Sequence, residues 1–182
     1  MIRHDLRPGE GDVEELYLAA ASLPPLGEGR ATARLFAALY REALQDRDDV
    51  TVATAEVGGA LAGLAYGHPW RWAEQDGDPW AGQLRARLGP DAAERLDGAF
   101  ALHLLVVHPD HQRGGLGRRL LAAALPEGAP RAWLLTTDRD TPASRLYTAA
   151  GWGPLGHGPD APDGRPGLVM VLPAAPEGRT SR

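Results

Sequence analysis

The six residues Gln112-Arg113-Gly114-Gly115-Leu116-Gly117 place three glycines where an apolar run gives way to a helical pattern. Glycine lets a backbone approach a ligand closely and turn its N–H groups toward an anion, and a helix opening there adds the positive end of its dipole. Arg113, Arg118 and Arg119 bring charge that can reach phosphate oxygens. A phosphate group suits this chemistry, although a plain strand-to-helix turn also explains the glycines. Two better-known phosphate motifs do not fit. There is no Gly-Lys-Ser/Thr, as a P-loop requires, and Gln-Arg-Gly-Gly is not the Gly-x-Gly that opens an early dinucleotide site.

Few other side chains are placed to move protons. His103 lies inside the apolar run Phe100 to Val107, where strand alternation predicts a shared face with Leu105 and Val107. Its imidazole is a candidate general base, and equally a hydrogen-bonded core residue. Glu56, ending an earlier strand pattern, is a rival base acting through water, or an exposed turn carboxylate. His103, His108 and His111 lack the spacing and carboxylate partners of a metal site. Trp70, Trp72 and Trp80 stand among Glu74, Asp76 and Asp78, a mixture that can surround an ammonium group or simply pin a long loop.

The elements that must carry these residues follow from periodicity and breakers. A short strand over Ile2 to Leu6 precedes a helix beginning near Asp12, read as its N-cap, with Val13, Leu16, Tyr17 and Ala20 on one face. Leu35, Phe36, Leu39, Tyr40 and Ala43 mark a second helix over Ala31 to Gln45. Val50 to Glu56 and Ala60 to Tyr66 flank Gly58-Gly59 as a hairpin. Residues 68–98 form an insertion with helical pieces at Trp80 to Leu88 and Asp91 to Leu96. Phe100 to Val107 is a strand covered on both faces. A helix from Leu116 ends at Pro126, a strand covers Arg131 to Thr137, a helix opens at Pro142 and closes by Gly151, and Leu168 to Leu172 is the last strand.

Bulk composition narrows the classes. At 182 residues one domain is expected. With 0 Cys there is no disulfide framework, thiol nucleophile or thiolate metal site. A net charge of -5 disfavours nucleic acid as a partner, and no signal peptide or membrane span is expected. The reading is of a cytoplasmic protein with no membrane partner and no metal. All 19 basic residues are arginine, so no Lys is available for Schiff-base chemistry.

Val107-His108-Pro109-Asp110-His111-Gln112-Arg113-Gly114-Gly115-Leu116-Gly117 resembles the signature of the GNAT superfamily of acyl-CoA-dependent N-acyltransferases, Gln/Arg-x-x-Gly-x-Gly/Ala after a strand ending in Val-x-Pro. Pro142 to Trp152 is similar to the family's helix Ala-x-x-x-Tyr-x-x-x-Gly-Phe/Trp, and two ordered motifs are far more specific than one. The likeness is best over Phe100 to Trp152, and residues 68–98 depart from the common core. It implies an α/β (α+β) single domain with a mixed, mostly antiparallel central sheet flanked by helices. In that sheet the strand Phe100 to Val107 diverges from the next one to admit pantetheine. The domain is read as residues 1–172, with 173–182 a disordered tail.

What the resemblance implies for function is an N-acetyltransferase moving an acetyl group from acetyl-CoA, its co-substrate, to a primary amine of a small molecule or a peptide N-terminus. Attack is direct, through a tetrahedral intermediate. The alternative is a non-catalytic acyl-CoA-binding or sensing domain. Tyr147 would protonate the departing sulfur, with His103 the candidate base. Leu105, Val106 and Val107 would lie beside the thioester, a backbone N–H near Val106 or Val107 polarising its carbonyl. Gln112, Arg113, Gly114, Gly115, Leu116, Gly117 and Arg118 would hold the cofactor phosphates, and Asp140, Ser144 and Tyr147 would complete the cofactor contacts. The family often has Asn where Asp140 stands. A homodimer is compatible with the family.

Overall fold

The computed structural model describes residues 1–127, 131–162 and 164–173. The expected disordered tail lies, apart from Pro173, outside the described residues. The elements follow in the order β1 (Ile2–Arg3), α1 (Glu10–Ala21), α2 (Arg30–Asp46), β2 (Thr51–Val57), β3 (Ala60–Pro69), α3 (Pro79–Leu88), α4 (Pro90–Glu94), β4 (Phe100–Val107), α5 (Leu116–Ala124), β5 (Ala132–Thr137), α6 (Pro142–Ala149), β6 (Gly153–Asp160) and β7 (Pro166–Leu172). All seven strands form one sheet in the order β1-β2-β3-β4-β5-β7-β6. Only β4 and β5 pair in parallel, and the other neighbours are antiparallel.

Both faces of the sheet are covered. On one, Leu116, Leu120, Leu121 and Ala124 of α5 and Tyr147 of α6 join Phe100, Leu102, Leu134 and Met170 in one apolar cluster. On the other, Val13, Leu16 and Tyr17 of α1 and Ala33, Ala37 and Tyr40 of α2 cover Val52, Leu64, Tyr66, Leu104 and Val106. Beside that second cluster, Ala81 and Leu84 of α3 cover Ala101, Trp133 and Val169. Each large apolar side chain so enclosed contributes roughly 1.5–3 kcal/mol relative to exposure.

Several expectations are corrected at this level. Asp12 is not the cap of α1: the N-cap is Gly9, and the Asp12 carboxylate accepts the Gly9 N–H at 3.1 Å from the third helical position. A strand missing from the sequence reading, β6, reads Gly-Pro-Leu-Gly-His-Gly-Pro-Asp; its glycines and prolines mimic a loop, but at a sheet edge these residues are tolerated. The insertion begins later than 68, since His68 and Pro69 still belong to β3.

The tryptophans of the insertion pin it rather than line an open site. Trp70 is buried and meets Trp72, Trp80 and Trp133 edge-on, with ring centroids 5.2, 6.1 and 5.1 Å away. Two of the acids beside them, Glu74 and Asp78, are engaged as well. Glu74 pairs with Arg47 at 2.7 Å and Arg71 at 2.9 Å, and Asp78 caps α3 through the Trp80 N–H at 2.8 Å.

Gly67 is the tightest joint between β3 and β4. A Cβ there would sit 2.2 Å from the Ala101 carbonyl oxygen and 2.7 Å from the Phe100 ring, and the carbonyl belongs to a central strand that cannot withdraw. Gly67→Ala is expected to lower stability by on the order of 2 kcal/mol through overpacking. A urea titration checks this, with an unchanged midpoint refuting the packing argument.

Candidate functional site

The site begins where β4 and β5 part. Phe100, Ala101 and Leu102 pair with Ala132, Trp133 and Leu134, and after these pairs the two strands have no common register although β4 continues to Val107 and β5 to Thr137. A gap therefore opens inside the sheet, toward the C-terminal ends of both strands. On the other side β4 stays in register with β3 as far as Val107↔Gly63, and the His108 N–H donates to the Ala62 carbonyl at 2.9 Å. Amides alternate in direction along an antiparallel strand. If His108 faces β3, so does Val106, while Val107 and Leu105 present their N–H groups to the gap. Of Val106 and Val107, only Val107 turns its N–H toward the gap.

The glycine loop closes the wide end of the gap. Gln112 donates from Nε2 to the Val107 carbonyl at 3.0 Å, tying the loop to the end of β4. Arg113 and Gly115 both take positive φ, 63° and 76°, and Gly115 is the N-cap of α5 without a side-chain cap. Among the described residues the amides of Arg113, Gly114, Gly115, Leu116, Gly117 and Arg118 have no hydrogen-bond acceptor. A Cβ on Gly114 would meet nothing within 4 Å, so the space in front of these amides is open. Unpaired N–H groups at a helix N-terminus, with the positive dipole end behind them, form an anion cradle. Arg113, Arg118 and Arg119 are exposed around it. Gly117 serves packing: a Cβ there would sit 3.3 Å from Leu146 Cδ2, so α5 and α6 close together over the gap.

Helix α6 brings Tyr147. Thr141 is its N-cap, its Oγ1 accepting the Ser144 N–H at 3.0 Å while Ser144 Oγ accepts the Thr141 N–H at 2.9 Å. Ser144 Oγ also donates toward the carbonyls of Arg139 and Thr141, each 3.0 Å away. The structure thus occupies the Ser144 hydroxyl in capping. Asp140 is exposed and its carboxylate meets Arg145 Nη1 at 2.5 Å. Tyr147 is buried beside Trp152, ring centroids 6.0 Å apart, on the α5 face of the sheet. Burial pushes its phenol pKa well up, so it keeps its proton throughout the neutral range.

His103 is not on the face expected. The register of β3 with β4 jumps from Tyr66↔Leu104 to Gly67↔Leu102, leaving His103 as the extra residue of a β-bulge. The bulge breaks simple alternation. Leu105 and Val107 pack with the α5 cluster, whereas Leu104, Val106 and Tyr66 pack with α1 and α2. The His103 ring stacks on Tyr66 at 5.8 Å and lies 4.2 Å from the ring of His68, which places it on the α1–α2 side. It comes immediately after the last β4–β5 pair, at the apex of the gap. Its Nε2 is enclosed without a partner, and burial first, then the nearby His68, holds its pKa down to about 3. The imidazole is neutral at any working pH.

The remaining candidates are dispersed. Val106 turns its side chain into the α1–α2 cluster and its amide toward β3. Glu56 lies on β2, pairs with Arg3 at 3.2 Å and lines a cavity with Gln112, Gly114 and Leu116 of the loop. No local pattern reveals that β3 runs three residues beyond Tyr66 and brings His68 to His103.

Comparison with known proteins agrees with this geometry. The family model described as Acetyltransferase (GNAT) family matches residues 13–152. No curated protein matches in sequence. Among solved structures, the ribosomal-protein-S18-alanine N-acetyltransferase from Escherichia coli aligns with TM-score 0.61 at 19% identity, covering 100% of this chain and 98% of that one. An aminoglycoside 6'-acetyltransferase type Ii aligns with TM-score 0.61 at 17% identity, covering 97% and 99%. The PaiA N-acetyltransferase from Thermoplasma acidophilum in complex with coenzyme A aligns with TM-score 0.59 at 11% identity, covering 96% and 98%. At these identities the likeness is one of fold.

Ser144→Ala removes the reciprocal cap of α6 and is expected to cost about 1 kcal/mol of stability. Acetyl-CoA affinity at a temperature where the variant is folded should stay within about twofold of wild type, since a change under 0.5 kcal/mol is roughly that factor. A tenfold loss of affinity would instead make Ser144 a ligand contact.

Proposed function

The chain belongs to the acetyltransferase (GNAT) family, and from that premise we propose that it transfers the acetyl group of acetyl-CoA to a primary amine, of a small molecule in the first instance, by direct attack. The proposed domain runs over residues 1–172, with the helices of the insertion covering one face. The observation that carries this reading is the row of unpaired amides from Arg113 to Arg118 at the mouth of a gap between two parallel strands.

The residues present fit coenzyme A. Open backbone amides and exposed arginines suit a pyrophosphate. Half-buried Leu105, Val107, Ala143 and Leu146 suit the pantetheine arm, whose own amides can meet the open edge of β4. Acetyl-CoA supplies the activated acyl group. The Val107 amide is placed to polarise the thioester carbonyl as charge develops on its oxygen.

Tyr147 and His103 lie on opposite faces of the sheet, on either side of the gap. That arrangement separates the two proton transfers. The amine nitrogen forms its bond to the carbonyl carbon from the His103 side, and the carbon–sulfur bond breaks toward Tyr147. His103, neutral before attack, accepts the proton the nitrogen loses and releases it to solvent. Tyr147, always protonated, gives its proton to the sulfur, whose thiol has a pKa near 8.5 in model compounds, and regains it from solvent. The products are an amide and coenzyme A.

Calorimetric titration with acetyl-CoA and with desulfo-CoA tests the binding half. Gly114→Glu places a carboxylate in the anion cradle without backbone strain and should abolish binding seen in wild type; no binding by folded wild type would overturn the reading. Tyr147→Phe tests the chemistry, with kcat expected to fall at least about 100-fold while acetyl-CoA affinity is retained. Binding without turnover of any amine would favour the alternative, an acyl-CoA-binding or sensing domain.

A further inference from the structure

His68 has no part in the chemistry above, yet its ring stands 4.2 Å from that of His103, tilted by 33°. It is buried, and its Nδ1 lies 3.0 Å from the Pro69 carbonyl, to which it donates. This bond fixes the ring orientation and leaves Nε2 as the nitrogen that can take up a proton. The rings overlap rather than meet edge to edge, so His68 acts on His103 through charge and not through a hydrogen bond.

The surroundings define when that charge is present. Burial is the main factor opposing protonation of His68, and Arg47 opposes it too; the Pro69 carbonyl, Asp49 and Glu74 favour it. Arg47, Asp49, Arg71 and Glu74 form one ion-pair network between the end of α2, the start of β2 and the insertion, so their charges largely cancel. From β3 and α2 the remaining ionisable neighbours are Tyr66, which stacks on His103, and Tyr40, which meets Tyr66 at 5.1 Å. Burial raises the pKa of both phenols, so neither carries charge in the working range. His68 is therefore the group near His103 whose charge changes as the medium is acidified.

Resting on the reading of His103 as the base, we propose that His68 is a positioning residue that gates the reaction by charge. Neutral, it leaves the His103 imidazole free to accept the amine's proton. Protonated, it sets a positive charge against the ring that must take that proton and against the positive charge growing on the attacking nitrogen. Above the acid range in which His103 itself titrates, the pair holds one proton at most, and His68 holds it. The sign follows from the direction of the shift: His68 is neutral above its ordinary pKa of 6.5 and becomes charged only below that value, so the gate closes on acidification.

The test is ring NMR of the full chain labelled at histidine, with His68→Asn, which keeps a donor for the Pro69 carbonyl, and His68→Phe, which keeps the ring packing. In wild type His68 should titrate below pH 6.5 and His103 not above pH 4. In both variants the His103 midpoint should rise by about one pH unit, as expected for groups coupled this closely. An unmoved midpoint in both folded variants overturns the proposal. Kinetics with acetyl-CoA and saturating aniline, whose nitrogen stays unprotonated above pH 5, read the consequence. Wild-type kcat should fall about tenfold for each unit below the His68 midpoint, and that acid limb should vanish in both variants; a limb that persists in both also overturns it. His103→Gln with undiminished kcat would remove the base reading itself. A defective His103→Gln beside an unaltered limb in the His68 variants would remove only the gate.

Discussion

Between β4 and β5 the ladder holds for Phe100 to Leu102 and then stops, and the rest of the molecule is arranged around that interruption. A backbone N–H or C=O left without a partner in the interior costs about 1–3 kcal/mol, so two parting strands inside a sheet are unstable unless each is fixed from elsewhere. Here β3 holds β4 through Val107 and β7 holds β5 through Thr137. Helices α5 and α6 close over one face, while α1, α2 and α3 close over the other. What remains is an inward-facing strand edge whose polar groups can be satisfied by an extended ligand bearing amides of its own. Helix α5 starts at the same place, so the open edge leads directly to an anion cradle.

This arrangement also explains how a chain with net charge -5 can present a site for a polyanion. Net charge acts over distances that physiological salt screens within roughly 8 Å, whereas backbone amides act at contact and cannot be titrated away. Several carboxylates are engaged elsewhere, as Glu14 with Arg30, Glu74 with Arg47 and Asp160 with Arg87 illustrate. The loop keeps exposed arginines at 113, 118 and 119.

Much of this was legible in the sequence because the informative signals are local. Phe100 to Val107 is bounded by His-Pro, α5 by the glycines before it and Pro126 after it, and α6 by Thr141 and Pro142. Tyr147 and the glycine loop stand out on those signals. The misreadings have a common cause: pairing between strands is not local. Nothing within β4 announces that Tyr66 and Gly67 of another strand oppose Leu104 and Leu102, so the bulge at His103 and its change of face were invisible. Nor does anything within β6 say that its glycines are admitted by neighbours. Gly158 lies where a Cβ would meet Leu135 at 2.6 Å and Leu84 at 3.0 Å, so its glycine is a consequence of α3 pressing onto the sheet.

The bulge at His103 sets the geometry of the proposed reaction. In a regular strand His103 would project with Leu105 and Val107 toward α5, on the same side as Tyr147, and an acid and a base would compete for one space beside the sulfur. One extra residue in β4 sends the imidazole through to the α1–α2 side while the backbone beyond it still lines the gap. In the proposed reaction the thioester would be met by a proton donor on one face and a proton acceptor on the other, and the strand between them would supply the amide that polarises its carbonyl. Low dielectric on both sides fixes the protonation states, since burial raises a phenol and lowers an imidazole. Acid and base are thereby set apart in space by one bulge and in charge by one core, without an ion pair between them.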